Sequence, residues 1–300
     1  MSFKNAIKLV FTKFNMVWAK LAAILVSSLV VIGLCIDPIL SMYSWLENMG
    51  FIAKLAQAWT AYSSNGNIVS LLESFLRLSE QFFNYYVSHP GILWDFTLKF
   101  GFLILGVYKF LLTTFELGFS KQIYGIMSDN SKPGFWVSYI SQFGKSLGYS
   151  LVKTVTFMIY DSVTLLVLYL VLKAVSGVPL LIPFVVMLVL IVFLTFRSSL
   201  FFAWLPYITV DNRNMMVALG KSIILFFKNF AKVFSAYLIS WICIISLCVF
   251  LTVFTFGVAL IIAVPVCSML LAFLNMTLFY SSNGMRYYMD DKIFDVNYIN

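Results

Sequence analysis

Six apolar runs dominate this 300-residue chain, each near the twenty residues that an α-helix needs to cross about 30 Å of hydrocarbon. They fall at approximately Val17–Ile36, Leu98–Phe119, Val152–Leu172, Leu180–Phe202, Phe234–Phe254 and Val258–Tyr280. The residues are 62% hydrophobic and 11% charged, leaving no polar block large enough to fold in water. An all-α integral membrane protein follows, read as one membrane domain over residues 1–300. "KAVSGVP" joins the third and fourth runs, and a turn at Phe256-Gly257 joins the fifth and sixth. Links this short impose antiparallel hairpins.

The basic start and apolar run of the amino terminus resemble a signal peptide. The run is too long for one, and no small-residue cleavage site precedes Asp37-Pro38, so a retained first helix is expected. Lysines and arginines then set the topology. The amino-terminal end carries Lys4, Lys8, Lys13 and Lys20; the second loop, counted to the start of the third run, carries Lys121, Lys132, Lys145 and Lys153. Arg213, Lys221, Lys228 and Lys232 lie between the fourth and fifth, and Arg286 and Lys292 follow the sixth. The opposite side carries Lys54, Arg77 and Lys173. Basic loops stay in the cytoplasm, which puts both termini there, in the cell membrane. The net charge of +8 is thereby assigned to topology rather than nucleic-acid binding. Abundant Phe and an excess of Lys over Arg point to an AT-rich, bacterial genome.

Residues 38–91 form the one long outer segment. It reads as two amphipathic helices broken at "SSNGN", with Asn67 capping the second. Trp45, Trp59, Tyr85, Tyr86 and Trp94 suit the membrane interface. An interfacial helical hairpin covering the bundle is expected.

The tripeptide Gly-Lys-Ser occurs twice, at 144–146 and 220–222. It ends the phosphate loop of nucleotide hydrolases, but such a loop needs a glycine five positions before the Gly-Lys, after a strand. Tyr139 and Met215 stand there, so no nucleotide is expected. Aligned on the tripeptide, "GVPLLIPFVV" from Gly177 and "GVALIIAVPV" from Gly257 come within about one helical turn of register. The amino-terminal "AIKLVFTKFNMVWAKL" has the same texture. Three repeats follow, at approximately 1–130, 135–212 and 213–292. Each is an amphipathic interfacial helix leading into a transmembrane hairpin, and the first is enlarged by the outer insertion. Lys145, Lys221, Lys228 and Lys232 are thereby expected to meet anionic lipid at the inner surface.

Chemistry-bearing motifs are sparse. Cys35, Cys243, Cys248 and Cys267 lie inside apolar runs and read as small fillers, and the single histidine, His89, is remote from them. No G-x-S-x-G or H-E-x-x-H occurs, so neither an enzyme nor a cofactor is expected. Asn275-Met-Thr277 forms a glycosylation sequon inside the sixth run. Ionisable residues within the runs carry more information, because each is costly in hydrocarbon unless paired or hydrated. Matching depths predict two pairs, Lys109 with Asp161 and Glu116 with Arg197, that either fix helix packing or line a polar pathway. Asp95 and Lys99 are expected to reach water.

The stretch "FAWLPYITVDNRNMMVALGKSIILFFKNFAKVFSAYL" resembles uncharacterised bacterial multi-pass membrane proteins and is similar to the membrane-anchor domain of glycerophosphodiester phosphodiesterases. Ala218, Leu219 and Ser222 match its "AL-x-x-S" motif, and the likeness extends over 134–288. It implies a membrane anchor without the catalytic phosphodiesterase domain. The expected function is a non-enzymatic scaffold or partner subunit of a membrane complex. The alternative is a transporter or channel for a small solute, with a polar pathway near Lys109 and Asp161. A continuous polar cavity favours the alternative, and a dry, packed bundle favours the scaffold.

Overall fold

The computed structural model describes residues 2–88, 91, 99–129, 134–175, 182–289 and 292–294. His89, Trp94 and Asp95 lie outside them, as does most of the "KAVSGVP" link. The chain forms two compact units, residues 27–109 and residues 1–26 with 110–300.

Among the described residues, six helices are long and apolar enough to cross a membrane: Asn15–Asn48, Lys99–Ser128, Phe143–Val175, Phe184–Thr209, Phe230–Thr255 and Leu260–Ser282. Each expected run has its helix. The protein is an all-α, multi-pass membrane protein, and its surface chemistry agrees. On the third span Leu151, Val155, Ile159 and Leu166 are exposed, whereas Ser146, Tyr149, Ser150 and Thr154 are buried. A water-soluble fold would reverse that distribution. In lipid, apolar side chains face outward and small hydroxyl residues let neighbouring helices approach.

The smaller unit holds most of the first span and the outer insertion. Helix α1 is Ser2–Thr12, and α2 is Asn15–Asn48. The insertion was expected to begin at Pro38, yet α2 runs through that residue. A proline removes one N–H and kinks a helix without always ending it. The two insertion helices, α3 (Phe51–Asn65) and α4 (Ile68–Ser88), break at Gly66, whose φ of 61° is left-handed. Asn67 caps α4 as expected, its Oδ1 accepting from the Ser70 N–H at 3.4 Å. A π-helical stretch, Phe102–Tyr108, begins the described part of the second span, followed by α5 (Lys109–Thr114).

The larger unit contains α6 (Glu116–Asp129), α7 (Phe135–Ile140), α8 (Phe143–Val175), α9 (Ile182–Leu200), α10 (Trp204–Thr209), α11 (Met215–Lys228), α12 (Phe230–Thr255) and α13 (Leu260–Ser282). Helices α6, α10 and α13 end the second, fourth and sixth spans, and all three pack against one another. Each receives one helix shorter than the spans: α7 on α6, α11 on α10, and α1 on α13. The third of these contacts joins the beginning of the chain to its last span. Their common core is aromatic and sulfur-rich, with Phe119, Phe202, Trp204, Phe226, Met269, Phe273 and Phe279 nearly inaccessible.

Gly118 permits the first of these dockings. A Cβ there would lie 3.0 Å from the Tyr139 Cβ and 3.1 Å from its Cα. Backbone cannot yield as a flexible side-chain tip can. Gly118→Ala is therefore expected to lower stability by about 1 kcal/mol, the overpacking cost exceeding the gain in helix propensity. The unfolding midpoint in detergent checks this, and Gly118→Leu is expected to lower it further.

The two Gly-Lys-Ser tripeptides bind no strand–loop–helix element. The first lies within the long α8 and the second in the separate α11, so the two copies do not occupy equivalent elements. Their serines nevertheless do the same work. Ser146 and Ser222 are both fully buried. Ser146 donates to the carbonyl of Thr114, and Ser222 donates to that of Leu200 at 3.1 Å. Both acceptors close a helix just before a break in an even-numbered span, where backbone oxygens lack partners. Ser222 also accepts from the Ala203 N–H at 3.2 Å, across the break between α9 and α10.

The lysines expected to meet lipid are partly engaged within the protein. Lys145 donates to Asn212 Oδ1 at 2.6 Å and Lys232 to the Ser281 carbonyl at 3.0 Å. Lys221 lies 5.7 Å from the Tyr207 ring centroid. Lys228 is exposed.

After α13 an antiparallel hairpin, β1 (Tyr287–Met289) with β2 (Lys292–Phe294), departs from the all-helical expectation. Tyr287 is buried and accepts a hydrogen bond from Asn5 Nδ2 at 2.7 Å, pinning the hairpin to α1. Burial pushes the Tyr287 hydroxyl above its ordinary range, opposed by that hydrogen bond.

Candidate functional site

The larger unit encloses a cavity of 220 Å³ to which every span contributes a polar side chain. Lys20 comes from the first span, Glu116 from the second, Lys153 from the third, Arg197 from the fourth, Tyr237 from the fifth and Asn275 from the sixth. Lys153 is ten residues into α8, about 15 Å along a helix rising 1.5 Å per residue. Its side chain is only 12% exposed, so it is held inside the packed unit.

Two ion pairs organise the site. Lys153 Nζ is bonded to Glu116 Oε2, and the Tyr149 hydroxyl donates to the same oxygen at 3.3 Å. Arg197 Nη1 donates to Asp161 Oδ1 at 2.7 Å. The expected pairing of Glu116 with Arg197 is thus corrected, because Glu116 takes Lys153 and Arg197 takes Asp161. Depth alone predicted the wrong partner, since two charges at one level meet only if their helix faces point the same way. Lys109 belongs to the smaller unit, and neither it nor Asp161 lines the cavity, whose charged residues are Lys20, Glu116, Lys153 and Arg197.

Aromatic rings hold the cations in place. Lys153 Nζ and Arg197 Cζ each lie 5.0 Å from the Phe157 ring centroid. Lys20 Nζ lies 5.0 Å from that of Phe119. Ring faces attract cations electrostatically, and more strongly where water is excluded. Hydrogen bonds fix the remaining polar wall. Tyr237 donates to Asn275 Oδ1, and Trp241 Nε1 donates to Ser198 Oγ at 2.9 Å.

Lys20 and Lys153 were assigned to topology by their position beside apolar runs. The signal that could have found them is the continuity of their flanks, because apolar residues extend on both sides of each lysine. No group of three His, Cys, Asp or Glu residues converges among the described residues.

Comparison with known proteins finds no matching family model, no matching curated protein and no matching solved structure.

Proposed function

We propose that this protein is a membrane-embedded carrier or channel for a small polar solute, and that the cavity of the larger unit is its solute site. The observation that carries this reading is the cavity to which each of the six spans contributes a polar side chain. Charged groups in a membrane are costly unless hydrated or paired, and the buried Lys20 ammonium on this cavity suits a site that admits water or a polar solute. The recurring packing of a shorter helix on each even-numbered span supports three hairpin repeats around the cavity. Solute sites at repeat interfaces are a common transporter design. No catalytic step is assigned. The distribution of lysines supports a cell-membrane location with both termini in the cytoplasm, and exposed Lys228 suits contact with anionic lipid.

Water access tests the reading. In a background with the four native cysteines replaced by alanine, Ser198→Cys is expected to react with a hydrophilic methanethiosulfonate reagent. Leu188→Cys, on the lipid-exposed face of α9, is expected to remain unreactive. Equal inertness at both positions contradicts a solute cavity.

A further inference from the structure

We propose, building on the cavity as a solute site, that its ligand is a small phosphate-type oxyanion held by the Lys20 ammonium. The charge balance makes the first argument. Glu116 takes Lys153 and Asp161 takes Arg197, so the two carboxylates of the cluster are matched by two of its three cations. Lys20 is the third. Its residue is only 7% exposed, and it forms no hydrogen bond or ion pair with another described residue. An ammonium carries three donors, and the Phe119 face answers only part of that demand. A buried charge of this kind is costly until water or an anion meets it.

The surrounding hydrogen bonds make the second argument. Asn275 Oδ1 accepts from Tyr237, leaving the amide N–H groups of Asn275 to donate. Ser198 Oγ accepts from Trp241, leaving its own hydroxyl proton to donate. Glu116, the cavity's carboxylate, is already an acceptor for Lys153 and Tyr149. Glu116 accepts both bonds at Oε2, whereas the Lys20 ammonium, the Asn275 amide and the Ser198 hydroxyl are left to donate, and the complement of these three is an acceptor-rich anion. Lysine binds phosphate as a point charge, without the fixed fork of arginine. At 220 Å³ the cavity is smaller than the roughly 300–1,000 Å³ of drug-sized sites. One phosphate group suits it, arriving either as a soluble anion or as a lipid headgroup.

The test uses the full chain in phosphatidylcholine nanodiscs and follows its unfolding midpoint. One arm adds inorganic phosphate against chloride at equal ionic strength; the other replaces part of the lipid with phosphatidic acid. Wild type is expected to show a saturable rise in at least one arm. A rise with inorganic phosphate identifies a soluble oxyanion, and a rise with phosphatidic acid alone identifies a headgroup. Lys20→Met is expected to abolish the rise and to increase the midpoint without ligand, because it removes an unmatched buried charge. Lys54→Gln, at an exposed position in the outer insertion and outside the cavity lining, is expected to retain the rise. Should Lys20→Met fail to fold, phosphate protection of Ser198→Cys from the thiol reagent supplies the measurement, with protection expected. No rise in either wild-type arm, no protection, or a full rise in Lys20→Met overturns the assignment. A reactive Ser198→Cys combined with no anion effect removes the oxyanion and leaves the solute cavity standing; an unreactive Ser198→Cys removes both.

Discussion

Arg197→Met is expected to destabilise the protein by about 3 kcal/mol, the lower end of what breaking a buried ion pair costs, and Asp161→Asn in the same chain is expected to recover part of it. The estimate sits at that lower end because the two side chains remain 20% and 17% exposed. Arg197 also lies against the Phe157 ring, so part of the loss is packing and will survive in the double variant. Unfolding midpoints of the two single variants and the double variant measure the coupling. Additive losses would show that Arg197 and Asp161 do not stabilise each other. The same cycle distinguishes this pair from the Glu116–Arg197 pair predicted by depth, since Glu116→Gln is expected to give Arg197→Met no comparable relief.

Glu116→Gln is expected to be nearly as damaging, at about 3 kcal/mol, and more damaging than Lys153→Met at about 2 kcal/mol. The asymmetry follows from the charges around the carboxylate. Glu116 is bonded to Lys153 and acts electrostatically on both Lys20 and Arg197. Its loss leaves a cluster of cations facing one another across the cavity. Losing Lys153 instead leaves a carboxylate that still feels the Lys20 charge at longer range and keeps the Tyr149 hydroxyl as a donor. Thermal unfolding of both variants in detergent decides the order. A greater loss for Lys153→Met would mean that Glu116 does not anchor the cluster.

The spans were legible because the bilayer demands long apolar runs, and the insertion was legible because Gly66 and Asn67 carry local turn and cap chemistry. Hydropathy alone also marked Glu116, Asp161 and Arg197 as residues needing partners. The partners themselves depend on helix azimuth, which distant sequence positions do not report. The π-helical stretch at Phe102–Tyr108, the break at Phe115 and the turn at 201–203 rotate the faces of the second and fourth spans. Lys153 was hidden for a related reason. The third span begins at Phe143, where the sequence still looks interfacial, so a lysine assigned to the headgroups is held inside the packed unit. The serines of the two tripeptides illustrate the reverse case: a visible sequence echo led to a shared backbone contact, without predicting that one copy lies within a span.

The central claim is that the six spans enclose a water-accessible polar site. Comparing the reaction rate of Ser198→Cys with that of an added Cys at exposed Lys228, using the same membrane-impermeant thiol reagent, tests it most directly. The account predicts measurable reaction at 198, slower than at 228 and far above that at lipid-facing position 188. Reaction at 228 with none at 198 would contradict it, because the bundle interior would then be dry.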